Sequence, residues 1–96
     1  MKTLREDNII GSVVISKAGR DKSKYYIIIE ILDTEYVLVC NGMLRSIEKP
    51  KKKKLKHLLF TDLIAEEIKE KLLSKKEVRN SDLKKYLQSN VIFKEV

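Results

Sequence analysis

Apolar residues follow two regimes along this chain: short strand-like blocks up to about position 60, and helical spacing beyond it. Positions 11–16 contain Val13, Val14 and Ile15, β-branched side chains bounded by Gly11 and Gly19, and predict a short strand. Positions 17–24 are polar and read as a loop carrying Lys17, Arg20, Lys22 and Lys24. Positions 25–32 give the strongest strand signal. Tyr25, Ile27, Ile29 and Ile31 alternate with Tyr26, Ile28 and Leu32, and only Glu30 interrupts. A strand apolar on both faces needs a cover on both. Asp33 and Thr34 form a tight turn, and 35–41 pairs back as a hairpin. Asn41-Gly42 signals another turn, leading into a short strand over 43–47. Pro50 suits an edge or loop position, because it has no N–H to donate. The lysines after it read as a basic loop, and 55–60 as a last strand.

From Thr61 the period changes. Thr61 serves as an N-cap, with Asp62, Glu66 and Glu67 early and Lys71, Lys75 and Lys76 late, matching the helix dipole. Ile64, Ile68 and Leu72 recur on one face, beside Ala65 and Leu73, so a helix is predicted over 61–74. Asn80 or Ser81 caps a second helix over 80–88, in which Leu83 and Leu87 share a face. Positions 91–96 read as an extended tail. Four or five short strands are too few for a sandwich, and the natural closure is a small barrel. The expected fold is therefore α+β: a β-barrel over 1–60 and a C-terminal helical extension over 61–96, packed together as a single compact domain.

Charge singles out one stretch. The chain of 96 residues carries a formal +7. Arg45, Lys49, Lys51, Lys52, Lys53, Lys54 and Lys56 stand against the single acid Glu48, so six of those seven net charges fall between positions 45 and 56. A charge so gathered attracts a polyanion, although a solvated lysine-rich loop would look the same in sequence. Cys40 is the only cysteine, which excludes an intramolecular disulfide and fits a reducing compartment. Positions 1–8 are polar, and no stretch approaches the roughly 20 apolar residues of a membrane span. A cytoplasmic location is the expectation.

The run Gly11-Ser12-Val13-Val14-Ile15-Ser16-Lys17-Ala18-Gly19-Arg20-Asp21-Lys22, followed by an aliphatic strand, resembles the start of a KOW domain. Its continuation is Tyr36-Val37-Leu38-Val39, Asn41-Gly42, Leu44-Arg45, Ile47-Glu48-Lys49-Pro50-Lys51 and Leu55-Lys56-His57-Leu58. That order resembles the archaeal and eukaryotic large-subunit ribosomal protein family number fourteen and short bacterial KOW proteins related to it. The likeness spans positions 10–58. It implies an SH3-like β-barrel that binds structured RNA, typically ribosomal, with loop 17–24 approaching the RNA backbone. It thereby implies RNA, the ribosome or an assembly intermediate as partner. Ser23 departs from the pattern, standing where a KOW domain has glycine. If that position takes a positive φ, the serine is strained.

The residue chemistry agrees with such a surface. Gly19 permits a tight turn and close approach of the backbone to a phosphate. Arg20 suits bidentate phosphate contacts, while Lys22 and Lys24 act as point charges. Lys51, Lys52, Lys53 and Lys54 carry no sequence information and would set affinity through counterion release. The candidate interface comprises these residues with Lys17, Arg45, Lys49, Lys56 and His57. Tyr25, Tyr26, Tyr36 and Tyr86 are candidates for base stacking where exposed.

Little in the sequence favours catalysis. His57 is the only histidine, and Cys40 alternates with Tyr36 and Leu38 as a strand core residue does. No cluster has metal-ligand spacing, no phosphate-cradling glycine loop is present, and no cofactor or small-molecule substrate is implied. Two other readings remain: DNA binding through the C-terminal helix pair, and a protein-recruiting adaptor built on the barrel.

Overall fold

In a computed structural model of the chain, the described residues are 9–91. Positions 1–8 and most of the tail predicted over 91–96 lie outside them. Five strands are present: β1 (Ser12–Ser16), β2 (Tyr25–Ile31), β3 (Tyr36–Cys40), β4 (Lys51–Lys54) and β5 (Leu58–Ile64). Two 3-10 turns interrupt them, η1 (Gly19–Asp21) and η2 (Leu55–His57), and two helices follow, α1 (Glu66–Leu73) and α2 (Asn80–Asn90). The strands form one antiparallel sheet in the order β4-β3-β2-β1-β5. The class is α+β as expected, but the sheet is not closed into a barrel. Its two edges, β4 and β5, do not pair with each other.

Both faces of β2 are covered. Tyr26, Ile27 and Ile28 are all fully buried. One face, through Val13, Ile27 and Cys40, packs against Ile68, Val78, Leu83 and Leu87 of the helical segment. On α2 alone, Leu83 and Leu87 are fully buried, and each contributes about 2 kcal/mol relative to an exposed side chain. The other face gathers Val14, Tyr26, Ile28, Val37, Val39 and Leu58, with Ile10 beside them. Ile9, Ile31, Leu55 and Leu72 of α1 pack against this second cluster.

Two bulges explain where the structure departs from the sequence pattern. Ile28 pairs with Val39 and Glu30 with Leu38, so Ile29 is an extra residue in β2. Beyond it the alternation reverses: Ile31 joins the Tyr26 and Ile28 cluster, and Leu32 is exposed. In β5, Ile64 pairs with Ser12 and Phe60 with Val14, leaving 61–63 opposite Val13 alone. Thr61 therefore lies in a strand, not at a helix start. Its Oγ donates to Val13 O at 2.8 Å and accepts from Leu63 N–H at 3.1 Å. The helix expected from Thr61 begins only at Glu66.

Three further expectations change. The strand expected over 43–47 is part of a long loop, 41–50, with no ladder pairing. The strand expected from Leu55 starts at Leu58, after η2. The lysines expected in a loop are β4 itself, with Lys51 opposite Val39 and Lys54 opposite Tyr36. Asn80, expected as a cap, is the first residue of α2, and Asp82 does the capping by accepting the Arg79 N–H at 3.0 Å. That hydrogen bond is the main reason the Asp82 carboxyl lies below its ordinary pKa, with Lys71 adding to it. Among the described residues no helix is long and apolar enough to cross a membrane.

Candidate nucleic-acid interface

Loop 17–24 closes the β1–β2 hairpin. Ser16 N–H donates to Lys24 O at 3.0 Å and Ser23 N–H to Ser16 O at 2.8 Å. Within it Gly19 has φ +76° and Ser23 has φ +73°. Ser23 thus takes the left-handed conformation, and the serine there is strained. Lys17, Gly19, Arg20, Lys22 and Lys24 are all exposed.

Two contacts bring other cations to this loop. Lys17 N–H donates to His57 O at 2.8 Å, which sets η2, with exposed Lys56 and His57, beside the loop. Lys53, only 9% exposed, extends its ammonium to Ala18 O at 3.5 Å. Its stem lies opposite Val37 on the buried face, so this lysine is a packed residue that delivers its charge at the loop. Arg20, Lys22, Lys24, Lys56 and His57 form no ion pair among the described residues, whereas the helical part holds the pairs Lys71–Asp82 and Arg79–Glu77.

Strand geometry divides the lysine run. Lys51 and Lys53 lie opposite Val39 and Val37, on the face of the second core cluster. Lys52 and Lys54 project to the other face, where their ammoniums stand 4.6 and 5.6 Å from the Tyr36 ring centroid. A single phosphate row laid along one face of β4 therefore meets two of the four. Arg45 and Lys49 belong to loop 41–50, which is held apart against α2 and carries both side chains exposed.

Sequence reasoning missed the structural part of Lys53 and the role of Asn80, whose side chain holds loop 41–50. No apolar alternation can mark a strand made of four lysines. Pro50 was the only signal, since a proline directly before a pairing segment suits an edge. Tyr26 is fully buried and belongs to the core. The Cys40 thiol is also buried, and burial, with Glu48 second, pushes its pKa up to about 12. It stays a thiol at neutral pH and packs as a small apolar group. No protein-family model matches the chain, and no curated protein matches it significantly.

Proposed function

We propose that this chain binds structured RNA, with ribosomal RNA as the implied target, as an SH3-like module of the KOW type. One observation carries the reading: loop 17–24 meets η2 and the Lys53 ammonium, so cations from three separate segments converge at one end of the sheet. Arg20, Lys22, Lys24 and Lys56 there are exposed and unmatched by carboxylate partners among the described residues. Such an arrangement favours a row of phosphates, which it would hold without reading sequence. The strand order supports the fold half of the proposal. A four-strand meander whose fifth strand returns beside the first, after a 3-10 turn, is the connectivity of an SH3-like barrel. The positive φ at Ser23 supports the KOW half, because it is the conformation a glycine would serve there.

The test is titration of structured ribosomal RNA fragments with the whole chain at low salt, comparing wild type with R20A/K22A/K24A. The variant is expected to bind at least tenfold more weakly, at roughly 1 kcal/mol or less per phosphate contact, with an unchanged melting temperature. Undetectable binding by the wild type, or equal binding by the variant, would contradict the proposal.

A further inference from the structure

The connection between β3 and β4 is longer than the sheet requires. The two strands are antiparallel neighbours, with Val39 opposite Lys51, and such a pair is commonly closed by about two to five residues. Here residues 41–50 intervene, and they are wired into one shape. Asn41 Oδ1 accepts from the N–H groups of Met43 at 3.0 Å and Arg45 at 3.1 Å. Arg45 O accepts from the N–H groups of Asn41 at 3.0 Å and Gly42 at 2.9 Å. Asn80 of α2 holds the other side: its Oδ1 accepts from Ile47 N–H at 2.7 Å, and its Nδ2 donates to Glu48 Oε1 at 2.9 Å. Gly42, at φ +79°, lies so close to α2 that a Cβ there would collide with the Asn80 carbonyl.

This rigid frame presents Met43, Leu44 and Arg45 to solvent. Leu44, at 60% exposed, is the most exposed large apolar side chain among the described residues. The tip stands at the same end of the sheet as loop 17–24, because Asn41 Nδ2 donates to Tyr25 O at 3.3 Å and Tyr25 directly follows Lys24. Apolar surface beside Arg45, on the end of the sheet that also carries loop 17–24, fits a ligand with an anionic backbone and exposed apolar faces. A regular RNA duplex keeps its bases stacked and its deep groove closed to side chains, so it offers the first property without the second. A nucleotide outside the stack offers both.

We propose that Met43 and Leu44 pack against an unpaired nucleobase while Arg45 contacts an adjoining phosphate, so that the chain selects RNA helices bearing an unpaired nucleotide. This inference rests on the RNA-binding reading and names its substrate class. The experiment measures binding of the whole chain to a blunt RNA duplex and to the same duplex with one bulged nucleotide. Wild type is expected to favour the bulged RNA by roughly tenfold. The variant M43S/L44S loses that preference and keeps both its affinity for the blunt duplex and its melting temperature. L44S alone repeats the comparison if the double variant folds poorly. Equal binding of both RNAs by wild type, or a preference retained in the variants, overturns this inference and leaves RNA binding standing. Binding of neither RNA by wild type overturns both.

Discussion

Ser23 joins sequence to conformation at a single residue. At φ +73° it occupies the region that glycine enters freely and that a side chain enters at a cost of about 1 kcal/mol. Replacing Ser23 by Gly should therefore stabilise the chain by about 0.5–1 kcal/mol, a rise of several degrees in melting temperature for a chain of this size. Thermal denaturation followed by circular dichroism checks it. A lower midpoint would mean that the serine side chain contributes more than its conformation costs. That Ser23 lies in a polar loop was visible in the sequence. That it falls on a left-handed position was not, because a φ angle depends on how the loop closes between Ser16 and Lys24.

Among the elements, β4 changes the account most. Four consecutive lysines have no apolar period, so they resemble a solvated loop, yet an edge strand is where lysines do structural work by discouraging pairing with other chains. Alternation then gives neighbouring lysines different roles. Lys53→Glu puts a carboxylate on the face of the core, near the Ala18 carbonyl, and should destabilise the chain by about 2 kcal/mol or more. Lys52→Glu, at an exposed position over the Tyr36 ring, should cost no more than about 1 kcal/mol. Urea denaturation of the two variants separates these outcomes, and equal losses would contradict the strand register. Strands β1, β2 and β3 were legible because their β-branched runs lie between glycines, turns and charges. The start of β5 and the onset of α1 were not. The bulge over 61–63 puts Thr61 against Val13, while in sequence Thr61, Asp62 and the following acids imitate a helix N-terminus. Leu83 and Leu87 were legible as one face of a helix, and they are its buried face.

Over the whole molecule, charge and packing divide between two halves. Up to Phe60 there are 13 cations and 7 anions, and from Thr61 there are 8 and 7. The near-neutral helices cover one face of the sheet, and the basic strands and loops form its exposed end. The sheet was expected to close and instead leaves its edges unpaired with each other, yet loop 17–24 still meets η2 and Lys53. Of the candidate residues named from sequence, Lys17, Gly19, Arg20, Lys22, Lys24, Lys53, Lys56 and His57 come together. Arg45 and Lys49 stand in a second loop, and Lys52 and Lys54 gather over Tyr36. The central claim is that phosphates bind at the converged end, and the salt dependence of binding tests it most directly. With about five phosphates neutralised, log K for a structured RNA should fall against log salt with a slope near −4. A slope near zero, or no affinity at low salt, would contradict it.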